Sequence, residues 1–255
     1  MIGLFDSGLG GLSVARAVRA ALPNHDLLYL ADSAYCPYGP LPVAQVRARA
    51  LACATWLVAQ GAQSVVVACN TATSAAIETL RATLAVPVVG MEPGLKPAVA
   101  ATRSGRVAVL ATSGTLQSER FERLVSQFAT NVTVETVPCP ALVELVEAGE
   151  LTGSHASATV TACVAPLLAT GVDTLVLGCT HFPPLRPLIA AAAPAATIID
   201  TGPAVAAQVA RIVAAHGLPT GSGTMRCATT GDPAQVAPAL ARVWGAALPL
   251  EVAQG

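Results

Sequence analysis

Charged and aromatic residues are scarce in this chain of 255 residues. Asp, Glu, Lys and Arg together make up 11% of it, and Phe, Trp and Tyr only 4%. The formal net charge is −1 and no long run of one sign occurs, which argues against a general nucleic-acid-binding surface. No apolar stretch reaches the roughly 20 residues that span a bilayer. The expected partner is therefore a small substrate, with no nucleic acid and no membrane.

Motifs for common cofactors and metals are also missing. The chain has no CxxC pair, so a structural zinc site is not expected. The GLGG stretch near the N-terminus lacks the GxGxxG spacing, and no GKS or GKT follows, so nucleotide binding is not indicated. Lys96 is the single lysine available for a pyridoxal Schiff base, and no phosphate-binding motif surrounds it. We therefore expect no cofactor and no metal.

The cellular compartment is predicted from what the N-terminus lacks and from the thiols. The first residues have no basic region and reach Asp6 and several glycines at once, so no secretory signal is expected. Seven cysteines in such a chain are typical of free thiols in a reducing cytoplasm.

Hydrophobic residues, in contrast, make up 53% of the chain and are arranged in short runs. These runs alternate with longer stretches of helical period, which predicts an α/β fold with mostly parallel sheets flanked by helices. Nine runs read as strands: 2–6, 26–32, 64–69, 86–91, 106–112, 131–139, 174–179, 196–200 and 224–230. Ligands of such folds bind beyond the carboxyl ends of the strands.

The two halves of the sequence share short strings in the same order. The matching pairs are Asp6-Ser7-Gly8 with Thr112-Ser113-Gly114, Cys36-Pro37 with Cys139-Pro140, and Cys69-Asn70-Thr71 with Cys179-Thr180-His181. This order favours an internal duplication into two pseudo-symmetric lobes with the active site in the cleft between them. We expect residues 1–95 with 209–255 to form the first lobe and residues 96–208 the second.

Such a duplication would bring Cys69 and Cys179 to one ligand from opposite sides. Opposed thiols suit inversion at a C–H stereocentre, because a thiolate removes the proton from one face and a thiol delivers a proton to the other. Both cysteines close an apolar run just before a helix-like stretch, and a helix N-terminus lowers a thiol pKa. Cysteine is often only a small buried hydrophobe, and we assign that role to Cys53, Cys139, Cys163 and Cys227.

Six segments resemble the cofactor-independent glutamate racemases of bacteria. They are FDSGLGGLSV, ADSAYCPYGP, ACNTATSAA, GMEPGLKPAV, CPALVELVEAGE and GCTHFPPLRPLI. The resemblance implies interconversion of L- and D-glutamate and a supply of D-glutamate for peptidoglycan. His181 after the second Cys-Thr separates the chain from aspartate racemases, which usually carry Glu there.

The resemblance also implies roles for individual residues. Cys69 would act on the D-enantiomer and Cys179 on the L-enantiomer, with Asp6 near the Cys69 thiol and His181 assisting Cys179. Glu147 matches an acidic residue that some members use near the same cleft. The expected substrate-binding residues are Asp6, Ser7, Tyr38, Gly39, Asn70, Thr71, Thr180 and His181.

Other interpretations stay open. The nearest is racemisation of another amino acid, such as aspartate. A second is a bifunctional racemase that also binds a protein such as DNA gyrase, although no gyrase-binding feature is visible. A homodimer is left open as well. Cys36 lies just before the Pro-Tyr-Gly motif without belonging to the expected reaction.

Overall fold

A computed structural model describes residues 1–253 of the chain. Ten strands are formed in this range: β1 Ile2–Asp6, β2 Leu27–Ala31, β3 Ser64–Val67, β4 Val88–Val89, β5 Arg106–Ala111, β6 Thr133–Pro138, β7 Thr174–Leu177, β8 Thr197–Ile199, β9 Met225–Thr229 and β10 Leu250–Val252. Eleven α-helices accompany them: α1 Leu12–Ala21, α2 Val43–Ala59, α3 Asn70–Thr83, α4 Leu95–Ala101, α5 Ser113–Leu116, α6 Glu119–Phe128, α7 Pro140–Glu147, α8 Gly153–Ala169, α9 Arg186–Ala192, α10 Gly202–Ala215 and α11 Pro233–Trp244.

The strands form two separate parallel sheets. The first has the order β10-β9-β2-β1-β3-β4 and the second the order β6-β5-β7-β8. All nine predicted strands are present, which confirms the α/β prediction. The tenth, β10, was not predicted, because its three residues are half-buried or exposed and form no apolar run. None of the helices in residues 1–253 is long and apolar enough to cross a membrane.

The strand orders confirm the two pseudo-symmetric lobes. The order β2-β1-β3-β4 in the first sheet repeats as β6-β5-β7-β8 in the second, so β1 corresponds to β5 and β3 to β7. Strands β9 and β10 extend the first sheet beyond this shared unit. Carboxyl ends of parallel strands lie at one edge of a sheet, so equivalent strands carry Cys69 and Cys179 to equivalent edges.

The central strands are buried along their whole length. Strands β1, β3 and β7 expose none of their residues, as expected where helices cover both faces of a parallel sheet. One hydrophobic core joins the lobes, since Leu4 of the first sheet and Leu175 of the second belong to the same cluster of buried side chains. The apolar contact between lobes therefore holds the two sheet edges around a common space.

Helix α10 contains one of the predicted lobe boundaries. The expected division between residues 208 and 209 falls inside this helix. Its buried Val205 and Val209 belong to the same hydrophobic cluster as Val14 of α1, and the two helices pack together. We therefore propose that the second lobe ends near residue 201 and that the first resumes there. Residues 254 and 255, assigned to the first lobe, lie outside the described part of the chain.

Candidate active site

Two thiols from equivalent strand ends face one cavity between the lobes. Cys69 lies two residues beyond β3 and Cys179 two residues beyond β7, and both line a small cavity of ≈ 10 Å³. Their exposed fractions are 4% and 6%, so bulk water barely reaches either sulfur. The duplication thus brings the two cysteines to one small space, as the spacing of the motifs predicted.

Most of the other predicted site residues line the same cavity. Those in its wall are Ser7, Tyr38, Gly39, Asn70, Thr71, Thr180 and His181. Asp6 and Glu147 do not line the cavity, but each contacts a residue that does. Asp6 Oδ1 lies 3.5 Å from the Thr180 hydroxyl, and Glu147 Oε1 lies 2.6 Å from His181 Nε2.

Cys69 is the N-cap residue of α3, and its sulfur accepts the Ala72 N–H at 3.4 Å. This hydrogen bond favours the thiolate, as the sequence predicted. Burial acts in the opposite direction more strongly, and the nearby Asp6 carboxylate adds to it, so the pKa of Cys69 is raised well above its ordinary value. The expected lowering of this thiol pKa is wrong, because desolvation outweighs the effect of the helix N-terminus.

Cys179 has a different environment from its counterpart. A 3₁₀ turn at Pro183–Leu185 follows it and α9 begins only at Arg186, so Cys179 is not a helix N-cap residue. The expectation of a helix N-terminus directly behind Cys179 is therefore wrong. Its sulfur instead lies 3.6 Å from His181 Nδ1.

The His181 ring connects Cys179 to a carboxylate. Burial opposes a charge on His181, but its contacts with Cys179, Cys36 and Glu147 raise its pKa well above the ordinary value. Burial likewise disfavours a charged Glu147, yet the hydrogen bond from His181 holds the pKa of Glu147 below its usual range. The pair is thus an imidazolium and a carboxylate beside Cys179, from which a proton can pass to the sulfur or return through Nδ1.

Asp6 is fully buried and is held in place by the loop that follows it. Its Oδ2 accepts the Gly11 N–H at 2.8 Å. Burial raises the pKa of Asp6, while the positive His181 partly offsets this rise. An additional negative charge is therefore costly here, and a cationic ligand group would be favoured.

The glycines of the β1–α1 loop make room for the site rather than for a phosphate. A Cβ at Gly10 would overlap the His181 ring, with its Cγ only 2.6 Å away. A Cβ at Gly11 would lie 2.6 Å from Cβ of Asp6. None of the glycines in this loop has a positive φ, so space and not backbone conformation requires them.

Asn70 leaves polar atoms unpaired in the wall of the cavity. Its amide nitrogen and oxygen are both buried and have no hydrogen-bond partner within residues 1–253. Such groups are costly when unsatisfied, so this side chain favours a ligand that both donates and accepts hydrogen bonds. An amino acid has such groups.

Sequence reasoning missed two threonines of the second lobe that line the cavity. Thr112 Oγ1 lies 2.8 Å from Thr71 Oγ1, and Thr115 Oγ1 lies 3.2 Å from the same atom. These hydroxyls therefore join the lobes across the cavity. The match of Thr112-Ser113-Gly114 with Asp6-Ser7-Gly8 was a signal for Thr112, whereas no sequence pattern marked Thr115.

Tyr38 lines the cavity, but its hydroxyl is engaged in a hydrogen bond with another residue. The hydroxyl donates to Asp32, whose carboxylate also forms a two-point ion pair with Arg49 at 2.8 and 3.0 Å. Lys96, the single lysine, lies on α4 with its amino group over the Phe128 ring and is not part of the cavity wall. A Schiff-base lysine is therefore not found at the two thiols.

A sequence model of the Asp/Glu/hydantoin racemase family matches residues 12–209. The chain belongs to this family. It is similar over 248 residues, at 49% identity, to a glutamate racemase of Pseudomonas aeruginosa, a match that covers 96% of this chain and 94% of that protein. A glutamate racemase of Roseiflexus is 51% identical over 242 residues, covering 92% of this chain and 89% of that protein.

Solved structures of the family share the fold over nearly the whole chain. Escherichia coli glutamate racemase, in complex with L-glutamate and the activator UDP-MurNAc-Ala, superposes with a TM-score of 0.88 at 31% identity, covering 98% of this chain and 97% of that one. The Francisella tularensis enzyme, in complex with D-glutamate, gives 0.84 at 25% identity, covering 98% and 96%. These matches confirm the resemblance and make the chain an amino-acid racemase, which is an isomerase.

Proposed function

We propose that this chain interconverts L- and D-glutamate without a cofactor, using Cys69 and Cys179 as its two acid–base groups. The observation that supports this most directly is that both sulfurs line one closed cavity from corresponding strand ends of the two lobes. A single cysteine would equally suit many buried positions, but two at pseudo-symmetric positions around a polar cavity suit proton transfer on opposite faces of one carbon.

In the L-to-D direction the Cys179 thiolate takes the α-proton of L-glutamate and becomes a thiol. The electron pair of the broken C–H bond stays on the α-carbon as a carbanion. The Cys69 thiol then gives its proton to the opposite face and becomes a thiolate, which completes D-glutamate. The reverse direction begins with the Cys69 thiolate, so each turnover exchanges the protonation states of the two sulfurs.

His181 and Glu147 serve the Cys179 half of this reaction. With Nδ1 3.6 Å from the sulfur and Nε2 2.6 Å from the carboxylate, His181 can stabilise a charged sulfur and hold or return its proton. Asp6 is placed near Cys69, whose pKa it helps to raise. A bound substrate ammonium group would reduce that negative potential and so favour the Cys69 thiolate.

The remaining wall residues hold the substrate and stabilise the carbanion. We assign the ammonium and carboxylate contacts to the side chains of Ser7, Asn70, Thr71 and Thr180, with the loop of Tyr38 and Gly39 closing over the substrate. Positioned donors of this kind typically contribute a few kcal/mol each in a site that excludes water. The unpaired amide of Asn70 supports its assignment.

Glutamate is the proposed substrate because the similar proteins are glutamate racemases and two of the solved relatives hold glutamate. We further propose that the product D-glutamate supplies peptidoglycan synthesis in the cytoplasm, where seven free thiols would stay reduced. The homodimer left open by the sequence stays a prediction, which light scattering in solution would test.

Circular dichroism of purified protein with L-glutamate, and no added cofactor, tests the function. The signal should decay to zero, and a panel of other amino acids, aspartate included, should remain unchanged. Cys69→Ser and Cys179→Ser should each slow racemisation by orders of magnitude while keeping the fold. Near-normal turnover in either variant would refute the two-thiol mechanism, whereas decay with aspartate alone would refute the substrate.

A further inference from the structure

A group of metal-ligating side chains lies beside the catalytic cavity. Cys36 on the loop after β2, Glu147 at the end of α7 and His181 after β7 each offer one donor atom, and these three atoms lie within 4.8 Å of one another. Within residues 1–253 this is the one group of three or more His, Cys, Asp and Glu side chains that meets this criterion. Cys36 is not part of the cavity wall, and the racemisation proposed above does not use it.

Two of these donors lie against Gly8 of the β1–α1 loop. A Cβ placed on Gly8 would lie 2.8 Å from Cys36 Sγ and would overlap the Glu147 carboxylate, so both groups converge on the same glycine. Glu147 Oε1 is fixed further by the Leu9 N–H at 2.6 Å and by His181 Nε2 at 2.6 Å. The three donors come from three different parts of the chain, and the fold brings them together.

Thiolate, imidazole and carboxylate together form a ligand set that suits Zn²⁺. Structural zinc sites have four protein ligands, whereas three protein ligands with one open position are typical of sites where the ion stays accessible. Cys36 is half-buried and the Glu147 side chain is 24% exposed, so two of the three residues border solvent.

We propose that Cys36, Glu147 and His181 form a Zn²⁺-binding site, and that the bound ion inhibits racemisation.

Binding releases two protons and neutralises the ion. The Cys36 thiol loses its proton to solvent, and so does the imidazolium of His181 at Nε2, where Zn²⁺ replaces the proton shared with Glu147. The resulting thiolate and carboxylate together carry two negative charges, which balance the charge of Zn²⁺. Nε2 and Oε1 separate slightly, because two ligands of one tetrahedral ion stand farther apart than the 2.6 Å of their present hydrogen bond.

The inhibition follows from the loss of His181 as a partner for Cys179. With Nε2 bound to the ion, the ring is neutral and keeps its remaining proton on Nδ1, 3.6 Å from the Cys179 sulfur. It can neither carry a positive charge beside that sulfur nor accept its proton. Since the ion lies behind the cavity wall, substrate can still bind, so we expect kcat to fall while KM changes little.

Activity measurements with added Zn²⁺ test the proposal in Cys36→Ser, with Cys163→Ser as the matched control. Cys36 and Cys163 are the two half-buried thiols among the seven free cysteines. Inhibition is expressed relative to each variant's own activity without Zn²⁺. The Zn²⁺ concentration for half-inhibition should rise at least ~100-fold in Cys36→Ser, because loss of even an outer-shell contact can lower metal affinity by that factor. It should stay unchanged in Cys163→Ser.

A Co²⁺ titration reports on the ligands without any turnover. The unmodified protein should show a thiolate-to-cobalt charge-transfer band that Cys36→Ser lacks and Cys163→Ser keeps. The inhibition rests on the proposed racemase reaction, whereas the cobalt band depends only on the metal site. A failure of the proposed function can therefore be distinguished from a failure of the metal-site proposal. Three results would overturn the proposal and assign the ion to Cys69 and Cys179. They are equal inhibition of Cys36→Ser and the parent, inhibition that competes with glutamate, and a charge-transfer band that persists in Cys36→Ser.

Discussion

Glu147 Oε1 lies 2.6 Å from His181 Nε2, and the two residues form a partly buried ion pair behind Cys179. The same oxygen accepts the Leu9 N–H of the first lobe at 2.6 Å, although α7 belongs to the second lobe. One carboxylate therefore joins the lobes and orients the imidazole.

His181→Asn should impair the Cys179 half-reaction selectively. Because L- and D-glutamate have equal free energies, kcat/KM must fall equally in both directions, by about 10²-fold if His181 acts as a typical general acid–base group. The selective effect on Cys179 should appear in the kinetic isotope effect of deuterium at Cα. This isotope effect should increase more with L-glutamate, whose α-hydrogen Cys179 removes, than with D-glutamate. Rates with protiated and deuterated substrates of both configurations measure this.

A surface pair provides the control for this variant. His155 Nδ1 lies 2.7 Å from Glu150 Oε2 on the exposed side of the second lobe. His155→Asn should leave both isotope effects as they are. Equal growth of the isotope effect with both enantiomers of glutamate in His181→Asn would contradict the assignment of His181 to Cys179.

Gly10→Ala should remove activity without unfolding the protein. The added Cβ would overlap the His181 ring, which would have to leave its position between Cys179 and Glu147. We expect at least a 10²-fold loss of kcat, comparable to losing the general acid–base contribution of His181. The control is Gly202→Ala, whose Cβ would have only ordinary contacts, the nearest at 3.5 Å. Full activity in Gly10→Ala would mean that the loop yields and that the ring position is not critical.

Thr112→Val should weaken substrate binding by loosening the contact between the lobes. It removes the 2.8 Å hydrogen bond to Thr71 and the cap that Thr112 provides for the Thr115 N–H of α5. One such hydrogen bond contributes about 0.5–1.5 kcal/mol, so we expect KM to rise by roughly 2- to 12-fold. Steady-state kinetics measure this, and Thr112→Ser, which keeps the hydroxyl, should behave as the parent. A similar rise in Thr112→Ser would trace the effect to the methyl group.

Asp26→Asn should reduce stability more at neutral pH than in acid. Hydrogen bonds to the Thr224 N–H at 2.9 Å and the Thr224 hydroxyl at 2.8 Å lower the pKa of Asp26 from 3.8 to about 2. A lowered folded-state pKa adds stability above pH ~4 that is lost as the pH falls toward 2. Urea unfolding from pH 3 to pH 7 should show a difference between variant and parent that shrinks with acid. A difference independent of pH would show that the carboxylate charge is not involved.

The sequence alone predicted the nine strands and the duplication, because both depend on local or repeated patterns. A buried parallel strand needs a short apolar run, as in SVVVAC before Asn70, and such a run is visible without knowledge of its neighbours. The likeness of Cys69-Asn70-Thr71 to Cys179-Thr180-His181 predicted that both thiols would meet one ligand. The three-residue edge strand β10 and the proposed lobe boundary near residue 201 carried no comparable pattern.

The tertiary structure decided what each chemical group experiences in the site. The sequence suggested a lowered pKa for Cys69, yet burial in the folded protein raises it, since desolvation depends on what packs around a group rather than on its neighbours in the chain. Glu147 was named only by resemblance, and its contact with His181 spans 34 residues of chain that the motif does not describe. Types of residue and their order along the chain are thus readable from sequence, whereas distances and charges across a cleft arise only when the lobes close on each other.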